Sequence, residues 1–344
     1  MQTIALQGTT SGRAAARTHS PTFAALPVLL LTSLGAANAI AADDDAYSVV
    51  HGWPILPEGR SLGRASGVAV DSHNHVFVFH SADRNWVEPF PDEPIEAPTV
   101  VVFDGDTGAV VAEWGARTFV MPHGLTIDGE DNVWLTDVGR HQVFKYSHDG
   151  EPLLELGEDR TPGTDAAHFN LPTDVAVLDD GGFFVSDGYG NSRVLKFSPD
   201  GEFEFQWGTK GSKPGQFDLP HGLATDDGGR VYVADRSNSR VQVFDREGSF
   251  LAEWPRDDVG RPYGLDVDAD TNVFVVDGGD QPKSPPDRSR AMRLSRAGSV
   301  EVVFGRFGNY DGQFQMGHDI AVGDDGAVYV VDITGKRVQK FTAD

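Results

Sequence analysis

The stretch FDLPHGLATDDGGRVYVADRSNSRVQVFDREGSFLAEW, residues 217–254, holds four short apolar segments separated by turn residues. PHGLAT begins at Pro220 and runs into an acidic, glycine-containing turn. VYVAD, RVQVF and FLAEW follow, each carrying apolar residues at alternate positions, the period of a strand with two different faces. Four short strands joined by tight turns make one blade of a β-propeller.

The unit recurs along the chain. First strands start as SGVAV at 66, PHGLTI at 122, PTDVAV at 172, PHGLAT at 220, PYGLDV at 262 and GHDIAV at 317. Second strands read VFVFH, VWLTD, FFVSD, VYVAD, VFVVD and VYVVD. With third and fourth strands behind them, the units span roughly 40 to 57 residues each, which predicts an all-β, six-bladed propeller over residues 42–344. The sixth unit runs out of chain at Phe341 without a fourth strand. The unassigned segment AYSVVHGW, residues 46–53, is expected to supply it and to close the ring without leaving a sheet edge. SDGYGNSRVLKF and ADRSNSRVQVF resemble NHL repeats. The tract GGDQPKSPPDRSR, residues 278–290, reads as a surface excursion from blade five.

Residues 1–41 stand apart from the repeats. Arg13 and Arg17 precede the uncharged run PTFAALPVLLLTSLGAANAIA, whose apolar centre is short for a bilayer span. It ends in small residues at Ala37-Asn38-Ala39 and Ala39-Ile40-Ala41. The expectation is a secretory signal peptide and a secreted or periplasmic protein; the alternative is an uncleaved anchor. Removing those two arginines from 28 basic residues leaves 26 against 52 acidic ones. Such a field repels nucleic acid and anionic lipid and favours divalent cations. The absence of cysteine leaves an exported chain to be held by its core, by ring closure or by metals.

The six units also serve as controls for one another. The aspartate ending the second strand recurs at 137, 187, 235, 277 and 332, which suits bonding of the adjoining turn backbone. Phe119, Phe169, Phe217 and Phe314 recur as wedges between blades, and Arg193 and Arg240 as packing or pairing groups. The residue four positions after each phenylalanine changes in kind: His123, Thr173, His221, His318. First strands line a propeller's channel, and alternate blades of six stand about 120° apart, so the three imidazoles are expected to converge on the axis. Three neutral nitrogens around an open position is the pattern of a catalytic zinc site. Asp319, directly after His318, suits either a hard cation such as calcium or a turn cap.

Tyr189 and Arg236 follow second-strand aspartates on the same rim. A tyrosine beside a dication and an arginine can ionise below its ordinary value of about 10 and act as a base, and an arginine there can clamp a carboxylate. The alternatives are a packing tyrosine and an inter-blade salt bridge.

In this order, PHGL, SDGY-NSR, PH and M-x-HD resemble the peptidyl-α-hydroxyglycine α-amidating lyase family, over essentially all of residues 60–344. The resemblance implies zinc on His123, His221 and His318. It implies a structural calcium on the carbonyls of Val68 and Leu125 and on Asp319. It also implies a catalytic Tyr189, an active-site Arg236 and an active-site Met316. Where that family carries a second arginine, this chain has Ser81, and Arg84 three residues on is the candidate to fill the same space. The family's disulfides are missing, with Gly190 beside the tyrosine where a cysteine would stand.

The expected activity is therefore zinc-dependent cleavage of the N–Cα bond of a peptidyl-α-hydroxyglycine, giving an amide and glyoxylate. The expected partner is a small-molecule or peptide carboxylate substrate. No nucleic acid, no membrane after leader cleavage, and a monomeric chain are expected. The alternatives are a metal-dependent propeller hydrolase or lyase acting on another small carboxylate, and a non-catalytic NHL-type propeller that binds peptide or glycan.

Overall fold

A computed structural model describes residues 47–279 and 288–344. The expected signal peptide lies outside the described residues, as does the middle of the 278–290 excursion.

Six four-stranded antiparallel sheets follow one another along the chain. Their first strands are Ala65–Val70, Pro122–Ile127, Asp174–Val177, Pro220–Thr225, Pro262–Val267 and Gly317–Val322. In each sheet the first and second strands are almost wholly buried, whereas fourth strands such as Val110–Trp114 face solvent at most positions. That gradient follows the apolar content read along each unit. The rich inner strands pack against neighbouring blades, and the alternating outer strands have one wet face.

The ring closes as the repeat arithmetic predicted. Tyr47–Val49 pairs antiparallel with Arg337–Ala343, placing Tyr47 opposite Ala343 and Val49 opposite Phe341. Tyr47 stacks on Phe304 of blade five at 4.7 Å between ring centroids, so the closing strand is anchored by a side chain as well as by its backbone. Its hydrogen bonds cover the outer edge of the Arg337–Ala343 strand.

The recurrent residues do structural work. Phe119, Phe169, Phe217 and Phe314 are buried between blades; truncating one such ring to alanine costs about 3–5 kcal/mol. The second-strand aspartates tie down the backbone beside them. Asp137 accepts from the amides of Met121, Gly139 and Arg140, and Asp332 from those of Gln315, Met316 and Gly335. Arg193 pairs with Asp187 and Arg240 with Asp235, each pair inside its own blade. Among the described residues no helix is long and apolar enough to cross a membrane.

Candidate active site

A kink in the first strands sets the axial centre. Pro122 pairs with Asp137 and Leu125 with Leu135, so His123 and Gly124 together oppose a single residue. Blade four does the same around His221 and Gly222, and blade six slips at His318. A bulge of this kind re-aims a side chain, and here it turns the imidazoles into the channel. The glycine after each of the first two histidines is there because the next blade comes close. A Cβ on Gly124 would lie 2.5 Å from the Thr173 carbonyl oxygen, and one on Gly222 would lie 2.6 Å from that of Tyr263.

Those same carbonyls orient the rings. Nδ1 of His123 donates to Thr173 O at 2.7 Å, that of His221 to Tyr263 O at 2.8 Å, and that of His318 to Ser66 O at 2.7 Å. Ser66, Thr173 and Tyr263 fill the histidine slot in blades one, three and five, so each histidine is held by the slot residue of the next blade. With Nδ1 protonated, every Nε2 presents a lone pair. The three ring centroids form a near-equilateral triangle with sides of 4.7, 4.8 and 4.9 Å. Burial holds all three imidazoles neutral, His318 down at about 4 and the other two well below their ordinary value; the mutual repulsion of the rings and Arg236 act in the same direction.

This donor set fits a borderline divalent cation such as zinc. Three buried, neutral imidazoles each aim an acceptor at a common point, and their ligand atoms lie within 4.8 Å of one another. The phenol of Tyr189 reaches two of them, at 3.0 Å from His123 Nε2 and 3.1 Å from His221 Nε2, but a single hydroxyl proton can satisfy only one. A cation satisfies all three.

Above the histidines opens a cavity of about 350 Å³, lined by Arg64, Trp86, Tyr189, Arg236, Tyr263 and Met316 among others. Arg236 begins a short 3-10 turn, donates through Nη1 to Tyr189 Oη at 3.2 Å, and lies 4.7 Å above the Tyr263 ring. Its Nε is buried and without a partner. Trp86 packs on Tyr189 at 4.8 Å between centroids. Burial pushes the Tyr189 phenol above its ordinary value, against the pull of Arg236. The guanidinium alone therefore does not offset the effect of burial.

Two basic residues change places relative to expectation. Arg84 donates through Nη1 to the Val120 carbonyl at 2.8 Å and lines a shallow neighbouring pocket with Asp83 and Glu93. Arg64, which was not singled out in the sequence, lines the histidine cavity instead, together with Ser81. Ser81 donates to the Arg84 carbonyl through its hydroxyl and to the Arg64 carbonyl through its amide, which binds the two segments together.

Below the histidines the channel narrows to a space of about 10 Å³ lined by Asp174 and Asp319, then widens to about 240 Å³. Val68, Leu125, Asp174, Asp266 and Asp319 line the wider part. Asp319 accepts the Val68 amide at 3.0 Å, and Asp174 accepts that of Leu223 at 2.8 Å. Burial, with mutual repulsion behind it, raises Asp319 well above the carboxylate range and lifts Asp174 and Asp266 to about 7. Clustered carboxylates this costly to ionise fit a hard cation. Asp174 escaped the sequence reading although it follows Thr173 as Asp319 follows His318.

These features define a class: a six-bladed propeller with a buried three-histidine centre under a cavity carrying two guanidinium groups. The NHL repeat model matches residues 119–146, 169–197 and 217–244. A probable peptidyl-α-hydroxyglycine α-amidating lyase of Caenorhabditis elegans is 32% identical, over 88% of this chain and 88% of its own. Peptidyl-glycine α-amidating monooxygenase B of Xenopus laevis is 40% identical over 84% of this chain, which spans only 35% of the frog protein. A solved streptogramin B lyase shares the fold, with a TM-score of 0.57 at 14% identity, over 87% of this chain and 98% of that one.

The chain belongs to the peptidyl-α-hydroxyglycine α-amidating lyase family.

Proposed function

We propose that this protein cleaves peptidyl-α-hydroxyglycines, or closely similar carbinolamides, to an amide and glyoxylate. The observation that carries the reading is the Tyr189 oxygen, which sits between two histidine Nε2 atoms and the Arg236 guanidinium in the wall of a cavity large enough for a small carboxylate. In the reaction the hydroxyl proton leaves oxygen, the C–O bond becomes a carbonyl, the N–Cα bond breaks, and the departing nitrogen takes a proton. No water is consumed. The site therefore needs a group that moves one proton over a short distance and a field that favours charge on the hydroxyl oxygen.

Tyr189 is that proton carrier, and its oxygen is held in place by Arg236 and the imidazoles. Zinc on His123, His221 and His318 would polarise the substrate hydroxyl and supply the positive charge that lowers the Tyr189 phenol. Arg236 and Arg64 hold the carboxylate. In a chain with 52 acidic and 28 basic residues, both lack an ion-pair partner among the described residues, which suits an anion from outside. Met316 and Trp86 offer apolar contact and help exclude water. Calcium on Val68, Leu125 and Asp319, with Asp174 close by, would offset the repulsion below. Export behind the N-terminal leader and action as a monomer complete the reading.

A second reading, a lyase or hydrolase acting on another small carboxylate, is favoured by Ser81 and Arg64, because a guanidinium from a different segment changes where a carboxylate sits. Incubating the zinc-loaded protein with α-hydroxyhippurate tests the first reading. Equimolar benzamide and glyoxylate support it. No turnover of this compound, with turnover of another hydroxy acid or lactone, supports the second.

A further inference from the structure

Three more histidines gather far from the axial centre. The turn after the first strand of blade one carries Asp71 and His73, the second strand opens on His75, and the turn between the third and fourth strands of blade two carries His148. In a four-stranded antiparallel blade these turns share one end of the propeller. Tyr189, Ser81 and Arg236 sit on connections between second and third strands, at the other end. This cluster is therefore separate from the catalytic centre.

Its organising group is the Asp71 side chain, which is fully buried. Oδ1 accepts the amides of His73 at 2.9 Å and His75 at 2.7 Å, which fixes the plane of the carboxylate. The other oxygen, Oδ2, then faces Nδ1 of His75 at 3.0 Å and Nε2 of His148 at 2.8 Å. The ligand atoms of the three residues lie within 4.8 Å of one another. Each imidazole is part-exposed, at 29% and 37%, so the side away from Asp71 is open to water. The edge of Phe77 packs on the His148 ring at 5.3 Å, and His73 stands 6.1 Å from both other rings. Asp149 and Asp131 add negative charge at the rim.

We propose that Asp71, His75 and His148 form a second divalent-metal site, joining blade one to blade two and taking zinc or a similar borderline ion. Two imidazole nitrogens and one carboxylate oxygen, with outer positions left to water, select such ions over calcium or magnesium. Both imidazoles already converge on one carboxylate oxygen whose partner oxygen is locked by backbone amides, the outer support that orients a ligand. The site ties together residues 77 positions apart in a chain without cysteine, and binding to the folded state alone raises its stability by mass action.

Metal-stripped full-length protein, its His221→Ala variant and a His75→Gln/His148→Gln variant are titrated with zinc alone, and bound metal is counted after desalting. His221→Ala is expected to keep one zinc and to gain thermal stability from it. The double variant is expected to lose that ion while keeping the axial one, and His148→Gln alone to weaken it by at least about 10–100-fold, the loss that even outer-sphere changes cause. Copper loaded into His221→Ala should give an electron paramagnetic resonance pattern from two nitrogens. Circular dichroism checks the double variant's fold, and the single variant carries the test if it is unfolded. Equal zinc content in wild type and a folded histidine variant, or no zinc in a folded His221→Ala, overturns the proposal.

Discussion

Nε2 of His123 and the phenol oxygen of Tyr189 lie 3.0 Å apart, although they come from the first strand of one blade and the turn following the second strand of the next. The contact couples the metal-fitting group to the proposed proton carrier. Tyr189→Phe keeps the ring that packs on Trp86 and removes the proton carrier. It is expected to lower kcat for glyoxylate release by about 10²–10⁴-fold, the usual worth of general acid–base catalysis, with zinc content unchanged. Loss of zinc together with activity would assign Tyr189 to metal retention.

Arg64 replaces Arg84 as the second cavity guanidinium. Removing a hydrogen bond to a charged group costs about 1.5–3 kcal/mol, so Arg64→Ala is expected to raise KM about 10–150-fold. Arg84→Ala is expected to leave KM unchanged. Steady-state kinetics on α-hydroxyhippurate and on its methyl ester separate the roles, because the ester lacks the charge that Arg64 is proposed to hold and should not respond.

Cation binding by the carboxylates below the histidines would depend on pH. Asp174 and Asp266, with ordinary values of 3.8, hold protons in the folded chain up to about 7. Between these values the unfolded chain has released protons that the folded chain keeps. Without a cation, stability therefore falls as pH rises through that window, and the full cost is present above it. Calcium bound there would offset this cost only where the carboxylates are ionised. The rise in Tm on adding calcium is expected to be large near pH 8 and small near pH 5. An equal rise at both values would contradict a carboxylate site.

Ring closure rests on a strand three residues long. Tyr47→Ala removes the ring stacked on Phe304 and leaves a void between blades five and six. It is expected to cost about 3–5 kcal/mol by denaturant titration. A change below about 1 kcal/mol would mean that the closing strand is held by its backbone alone.

Much of this architecture could be read from the repeat. Six units, their strand order and the borrowed outer strand follow from period-two patterning and from a last unit one strand short. The histidines stood out because the slot four residues after the wedge phenylalanine changes from histidine to Thr173 between otherwise matching units. The same comparison could have found Asp174, which repeats the position of Asp319. Arg64 was passed over although it stands two residues before that slot, where Met121 and Met316 stand in blades two and six, and its carbonyl likewise accepts the amide that follows the second strand. The pairing of each histidine with the next blade's slot carbonyl was hidden too. It depends on a bulge and on how closely the blades approach at Gly124 and Gly222, and neither has a one-residue signature.

The central claim is that the three axial histidines are the chemical centre of a carbinolamide lyase. The direct measurement is glyoxylate release from α-hydroxyhippurate by metal-stripped protein, before and after zinc, in wild type and in His221→Ala. Wild type should be nearly silent when stripped and recover with zinc, while His221→Ala should stay at least about 10²-fold below zinc-loaded wild type under both conditions. Equal glyoxylate release from the two zinc-loaded proteins, or none from zinc-loaded wild type, would contradict this.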